Sequence, residues 1–209
     1  MAPVNIKKVC IFGATGNTGL CTVKAAIDKG YEVTAFVRDA NKLDPNVKPQ
    51  TVIVGNVTNS SDVDRAVRGQ DAIVIVLGTG SDLSPTTVLS DGTRTILSSV
   101  KANNIQPRIV CCLSSFMFWE RNKIPERVLN VHSDHERQLQ LLKESDSQWI
   151  VACPPHIDSG PARGNYTLKT DGPVGREISK YDLAQILVDL LADDGNRIGH
   201  LVGMGYPSA

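Results

Sequence analysis

The chain has 209 residues, 41% of them hydrophobic, and its 22 basic and 22 acidic residues leave a formal net charge of zero. This suits one α/β domain with a sizeable core, and the balanced charge gives no bulk attraction to nucleic acid or a membrane surface. Because five cysteines occur without metal-ligand spacing, and no targeting or transmembrane segment is evident, we expect reduced thiols, no metal site and a cytoplasmic protein.

Short apolar runs alternate with longer amphipathic stretches along the chain. Strands are predicted at 8–13, 31–37, 51–54, 71–77, 108–113 and 148–153. Helices are predicted at 17–29, 61–68, 85–103, 126–145 and 180–193. This alternation is typical of βαβ units, and it predicts a single Rossmann-type α/β domain over 1–209, a doubly wound parallel sheet with helices on both faces.

The stretch 154–178 departs from this pattern because prolines and glycines interrupt any long element. It predicts loops and short strands over the carboxyl edge of the sheet, where ligands bind in open α/β folds. Two interpretations remain open, a flexible substrate lid and a purely structural loop.

The first predicted strand leads into Gly-Ala-Thr-Gly-Asn-Thr-Gly at 13–19. A strand, a glycine turn and a helix N-terminus together form a pocket for a pyrophosphate. Gly13 permits the tight turn, Gly16 the close approach of the phosphates, and Gly19 the packing of helix on strand. The alternative is a turn that needs glycine for no ligand at all.

The end of the second predicted strand indicates which dinucleotide binds. Arg38 stands where an acid would accept hydrogen bonds from a ribose 2′-hydroxyl, and a guanidinium suits a 2′-phosphate instead. Asn41 and Lys42 add a donor and a charge, so the sequence favours NADPH. Asp39 is a competing signal, since a carboxylate can reach a ribose or simply pair with Arg38.

Several motifs together resemble the biliverdin-IXβ reductase, or NADPH-dependent flavin reductase, family of atypical short-chain dehydrogenases with an NmrA-like Rossmann fold. They are Ile-Phe-Gly-Ala-Thr-Gly-Asn-Thr-Gly at 11–19, Val-Arg-Asp at 37–39, Gly-Gln-Asp-Ala at 69–72, Asp-Leu-Ser-Pro-Thr-Thr-Val at 82–88, Ser-Ser-Phe-Met-Phe-Trp at 114–119, Pro-Pro-His-Ile at 154–157 and Ile-Ser-Lys at 178–180. The resemblance covers nearly the whole chain. It implies a monomer that reduces flavins and biliverdins with NADPH, flavin being a substrate rather than a bound prosthetic group.

The resemblance also implies a set of cofactor-binding positions. They are Gly13, Thr15, Gly16, Asn17, Thr18, Gly19, Arg38, Asn41, Lys42, Asn56, Val57, Leu77, Gly78, Thr79, Gly80, Leu89, Arg94, Cys112, His135, Pro154, His156 and Ile157. Three departures from the family pattern occur among them, one being that Asn41 and Lys42 replace different polar residues. Asn56 replaces an acid but still offers a carbonyl acceptor to adenine, and Gly80 stands where relatives can carry an arginine.

The chemistry of the site must differ from that of ordinary short-chain dehydrogenases. These use a Tyr-x-x-x-Lys pair to move a proton, and His135 occupies the helical turn where that pair is expected. The hydride acceptor must therefore need little acid–base help, as flavins and linear tetrapyrroles do because their conjugated rings delocalise the incoming charge. A non-catalytic NADP sensor of the NmrA-like type is the alternative.

Residues after the fifth and sixth strands are the candidates for catalysis and substrate binding. Ser114 can orient the substrate or relay a proton, or merely satisfy a backbone group. His156, stiffened by the prolines before it, can bind cofactor or substrate or donate a proton. Phe116, Phe118 and Trp119 form either an apolar wall for a planar acceptor or part of the core. Cys112 is interpreted as packing, with nitrosyl transfer through its thiol as the alternative.

Overall fold

The computed structural model describes residues 5–207. Within this range the principal helices are α1 (Asn17–Asp28), α2 (Ser60–Val67), α3 (Val88–Ala102), α4 (Leu129–Glu144) and α5 (Lys180–Asp189). The strands are β1 (Lys8–Phe12), β2 (Glu32–Val37), β3 (Thr51–Val54), β4 (Ala72–Ile75), β5 (Arg108–Cys112), β6 (Gln148–Cys153), β7 (His156–Asp158), β8 (Thr167–Thr170), β9 (Glu177–Ser179) and β10 (Leu201–Gly205).

Eight of the strands in this range form one sheet in the order β3-β2-β1-β4-β5-β6-β10-β8. Neighbouring strands are parallel except at the edge, where β8 runs antiparallel to β10. The direction of strand order reverses between β1 and β4. Such a switch point opens a crevice at the carboxyl ends of the strands. The predicted doubly wound α/β fold is confirmed.

Alternate residues of each strand face two separate cores, as expected when both faces of a sheet are covered. In β1, Val9 and Ile11 pack with α1 and α5 on one face. Cys10 and Phe12 pack with α2, α3 and α4 on the other. Helices on both faces thereby bury the sheet and leave its carboxyl edge as the place for a ligand.

The structure corrects the predicted elements at several points. Helix α3 begins at Val88 rather than at residue 85, and the Thr86 hydroxyl accepts the Val88 amide at 3.2 Å just before its first turn. A short 3-10 turn at Glu126–Val128 precedes α4, and another at Leu190–Ala192 follows α5. Strand β10 was not predicted, and β8, one of the short strands expected within 154–178, joins the main sheet beside it. The sheet is therefore mostly parallel rather than wholly so.

Segment 154–178 contains the predicted short strands, but one of them, β8, extends the main sheet at its edge. The other two, β7 and β9, pair with each other, and His156 N–H donates to the Arg176 carbonyl at 3.2 Å. Buried Asp182 of α5 accepts hydrogen bonds from the Arg163 and Gly164 amides and from the Tyr206 hydroxyl. Much of the segment is thus fastened to the fold.

Candidate functional site: a dinucleotide cleft at the switch point

The glycine turn follows β1 and packs against the backbone that follows β4. Gly13 has φ +87°, and a Cβ there would lie 2.3 Å from the Val76 carbonyl oxygen. A Cβ on Gly19 would lie 2.0 Å from the Gly13 oxygen. Glycine is therefore required at Gly13 for the turn and at Gly19 for helix packing. Gly16 has an ordinary φ of −71°, and a Cβ there would meet only the Gly13 oxygen at 3.3 Å. Its remaining side is open, as a close phosphate approach requires.

Helix α1 begins without a capping side chain. Its N-cap is Gly16, and neither a side-chain acceptor nor an acidic residue serves its first turn. Helices α2 and α5 differ, since Asn59 and Ser179 cap them. Free amides at a helix N-terminus bind anions, and the positive end of the helix dipole adds to the attraction. The start of α1 thus fits a diphosphate.

The exit of β2 carries an exposed cation. Arg38 is exposed, and it makes no ion pair within the described residues 5–207. Asp39 is committed to local structure, because its Oδ1 accepts the Asn41 amide at 3.0 Å and caps the short turn Ala40–Lys42. Asn41 and Lys42 are exposed at the same corner. This end of the cleft presents basic groups rather than a free carboxylate.

Two predicted adenine contacts are already engaged within the protein. The Asn56 Oδ1 accepts the Thr58 amide at 3.1 Å and the Thr58 hydroxyl at 3.0 Å. This is the oxygen expected to meet an adenine amine. Val57 is buried beneath α3, where a Cβ on Gly92 would lie 2.9 Å from it. Neither contact is visible in a linear motif, so the sequence did not predict it.

The predicted positions on the β4–α3 connection differ in accessibility. Gly78 and Gly80 are exposed, Gly80 with φ +65°, whereas Leu77 packs against the core. Arg94 is exposed on α3. Leu89 has no exposed surface, so a direct cofactor contact would require its neighbours to move.

A buried carboxylate that sequence reasoning missed closes the start of α3. Asp134 of α4 is fully buried, and its Oδ2 accepts the Leu89 amide at 2.9 Å and the Ser90 amide at 3.3 Å. It also accepts from the Ser90 hydroxyl, and Arg137 pairs with it at 3.1 Å. Arg137 in turn donates to the Thr86 carbonyl at 2.7 Å. The signal was an aspartate at a helix position otherwise expected to be apolar.

The exits of β5 and β6 meet at the other end of the cleft. The Ser115 amide donates to the Pro154 carbonyl at 2.8 Å, which brings Ser114 beside the Pro154-Pro155-His156 turn. The Ser114 hydroxyl is half-buried and accepts the Phe116 amide at 3.3 Å, capping a short turn. Both the site role and the backbone role proposed for Ser114 therefore remain compatible with its position. His156 is exposed, and Ile157 packs against the core.

The four large side chains at 116–119 form two pairs with different surroundings. Met117 and Phe118 pack against the core. Phe116 and Trp119 pack edge-to-face with centroids 5.2 Å apart, and Trp119 is 48% exposed. The exposed indole, five residues after Ser114 along the chain, offers an apolar face to a planar ligand.

Burial keeps two groups at this end uncharged. Burial raises the pKa of the Cys112 thiol to about 12, so it stays protonated at neutral pH. This leaves no activated thiolate for nitrosyl transfer. Burial, with a smaller contribution from His132, lowers the pKa of His135 to about 4. His135 is consequently a neutral imidazole, which can donate or accept hydrogen bonds but is no proton source at neutral pH. The five cysteines all carry free thiols.

These features define a Rossmann-type dinucleotide-binding protein. The NAD(P)H-binding family model matches residues 13–194, and the chain belongs to that family. None of the helices in the described part of the chain is long and apolar enough to cross a membrane.

Known proteins show the same fold at low identity. A structure from Bacillus halodurans, provisionally named an NAD-dependent epimerase/dehydratase, is 19% identical with a TM-score of 0.84, covering 96% of this chain and 95% of that one. A Streptococcus pneumoniae structure, provisionally named an NADH-flavin reductase, is 21% identical with a TM-score of 0.79, covering 95% and 98%. An uncharacterized chloroplastic protein of Arabidopsis thaliana is 38% identical over 80 residues, which span 37% of this chain and 29% of that protein.

Proposed function

We propose that this protein is an NADPH-dependent reductase that transfers hydride to flavins and to linear tetrapyrroles such as biliverdin-IXβ. The observation that carries the proposal is the half-exposed Trp119, packed on Phe116 at the exit of β5. A large apolar ring left in contact with water, beside a dinucleotide cleft, suits a planar conjugated acceptor. The name of the S. pneumoniae neighbour agrees with a flavin acceptor.

The choice of NADPH over NADH depends on Arg38. Its guanidinium has no ion-pair partner within residues 5–207, while the nearby Asp39 carboxylate is engaged by the Asn41 amide. An unpaired guanidinium forms charge-assisted, bidentate hydrogen bonds with a phosphate. Lys42 adds positive charge at the same corner. We therefore assign this corner to a 2′-phosphate.

The protein's part in the reaction is mainly to position the acceptor. NADPH, when bound, supplies the hydride, and one proton completes the two-electron reduction of the acceptor. Phe116 and Trp119 hold the acceptor ring, and the Ser114 hydroxyl orients it or relays the proton, which solvent can also supply. Because His135 is neutral and Cys112 stays protonated, neither adds charge to this region. Acceptors that delocalise charge themselves are the ones such a site can reduce.

The test is NADPH oxidation with FMN, riboflavin and biliverdin-IXβ as acceptors, each against a control without enzyme. We expect turnover with flavins and with the tetrapyrrole, and absence of turnover with all three contradicts the proposal. Trp119→Leu should raise KM for FMN while leaving the Kd of NADPH unchanged. Phe118→Leu is the matched control, because Phe118 packs on the core and its loss should lower stability instead.

A non-catalytic NADP sensor is the second candidate. Helix α4 carries no tyrosine, and the Ser114 hydroxyl already caps a turn, so the site has few side chains that could transfer a proton. Tight NADPH binding by calorimetry, combined with no turnover on the acceptor panel, would favour the sensor over the reductase.

A further inference from the structure

A lysine from the far end of the chain lies at the start of α1. The Lys180 Nζ, on the first residue of α5, donates to the Asn17 Oδ1, on the first residue of α1, at 3.2 Å. Helices α1 and α5 pack in the same core, so their N-termini meet at the glycine turn. Burial raises the pKa of the Cys21 thiol in this first part of α1, and the Lys180 ammonium opposes that rise. The positive charge of Lys180 therefore acts on groups in the first part of α1.

This cation is not neutralised by the protein. No carboxylate forms an ion pair with Lys180 within residues 5–207, and its other contact is the Tyr181 ring, 5.3 Å from the ammonium. A positive charge at the first residue of a helix also opposes the helix dipole. Lys180 thus stands where a cation costs fold stability, and such local conflicts are expected at functional positions.

The position of Lys180 is held by its neighbours rather than left to a flexible loop. The preceding Ser179 donates its amide to the Tyr206 hydroxyl at 3.0 Å, and the Tyr206 hydroxyl bonds to Asp182. The Ser179 hydroxyl donates to the Gly160 carbonyl at 2.6 Å. These hydrogen bonds, one of which is to segment 154–178, therefore fix the start of α5 beside the glycine turn.

We propose that Lys180 is a further cofactor-binding residue, whose ammonium, oriented by Asn17, binds the diphosphate together with the free amides of α1. The inference rests on the proposed dinucleotide role of the glycine turn. It assigns the two cations different tasks. Arg38 selects the 2′-phosphate, which only NADPH carries, whereas Lys180 binds a group that NADPH and NADH share.

The test compares Lys180→Met with Lys24→Met, both measured by calorimetric titration with NADPH and with NADH. Lys24 lies further along α1 and pairs with Asp28 at 2.7 Å, so it is a lysine of the same helix without the proposed role. We expect Lys180→Met to raise both Kd values by about five- to tenfold, as loss of a half-exposed charge-assisted hydrogen bond does. Lys24→Met should change neither, and Lys180→Arg should retain most of the affinity.

A stability measurement distinguishes binding from a structural role. Without cofactor, Lys180→Met should keep or raise the thermal midpoint, because the unfavourable charge at the start of α5 is gone. A lowered midpoint with parallel loss of affinity would overturn the proposal, as would unchanged Kd values or a loss confined to NADPH. If the unmodified protein bound neither dinucleotide, the proposed function itself would fail, which is a different result.

Discussion

The two ends of the cleft satisfy their polar groups in opposite ways. At the β1–α1 end, the first amides of α1 have no side-chain acceptor and Arg38 has no ion pair within residues 5–207. At the β4–β6 end, Asp134 closes the start of α3 and Ser114 caps its own turn. The first end holds donors in place for an anion, and the second is completed by the protein itself. This contrast separates polar groups that are open to a ligand from polar groups that already have a partner within the fold.

The largest effect is expected at the glycine turn of the β1–α1 end. In Gly19→Ala the new Cβ would lie 2.0 Å from the Gly13 oxygen, a backbone atom that cannot move without moving the turn. We expect a loss of about 3 kcal/mol in the free energy of unfolding, measured by urea denaturation, and no measurable NADPH binding. Gly16→Ala is the control, since its Cβ would lie 3.3 Å from the Gly13 oxygen, a tight contact that a shift of a few tenths of an ångström relieves. Gly16→Ala should keep the fold and lower only the affinity for NADPH. Equal losses of stability in Gly16→Ala and Gly19→Ala would contradict the different roles assigned to the two glycines.

Asp134→Ala should destabilise the β4–β6 end of the cleft. The Leu89 and Ser90 amides would lose their buried acceptor, and Arg137 its partner. Unsatisfied buried donors of this kind cost about 3 kcal/mol in total, which urea denaturation would detect. Asp134→Asn keeps an acceptor oxygen and should lose less. If the two variants were equally unstable, hydrogen bonding would not be what Asp134 contributes.

Arg38→Glu should affect only the open end. We expect the Kd of NADPH to rise about thirtyfold, the typical weight of a charge-assisted bond to phosphate, while NADH binding changes little. Calorimetric titration with both cofactors measures the difference. Equal losses for the two cofactors would show that Arg38 does not bind the 2′-phosphate.

Acidification should weaken the second end through His135. Its pKa of about 4 in the folded protein lies below its usual 6.5, so the unfolded chain takes up the proton first. Stability from the neutral imidazole is complete above pH 6.5 and is lost progressively as the pH falls towards 4, by about 3 kcal/mol. Unfolding curves across this range should slope less in His135→Gln, and an unchanged slope would exclude His135 as the cause.

Ser114→Ala should have the smallest effect on the fold and a clear effect on turnover. Loss of the cap costs about 1 kcal/mol, whereas kcat should fall about tenfold if the hydroxyl orients the acceptor or relays a proton. The Kd of NADPH should not change. Ser115→Ala is the control at the adjoining position, and equal rates in both variants would leave Ser114 as a cap only.

Most of the central sheet was predictable because its strands are apolar and separated by amphipathic helices. The sequence did not place β8 and β10 in the main sheet, and their residues explain why. The run Thr-Leu-Lys-Thr at 167–170 has one apolar residue, and Leu-Val-Gly-Met-Gly at 201–205 has two glycines. Glycine is needed there because a Cβ on Gly203 would lie 2.0 Å from the Gly172 carbonyl oxygen. These strands therefore depend on a close approach between segments that are distant in the sequence, which a local residue pattern cannot show.

The sequence by itself determined the glycine turn, the alternation of elements and hence a dinucleotide fold, because these depend on backbone freedom and local hydrophobic periodicity. Only the tertiary structure decided which polar groups are still free to bind. Asp134 meets the start of α3 from 45 residues away, and Lys180 meets Asn17 from 163 residues away. Such contacts form when packed helices bring distant residues together, so the same residue types read from sequence alone do not distinguish a ligand-binding group from one that the fold already uses.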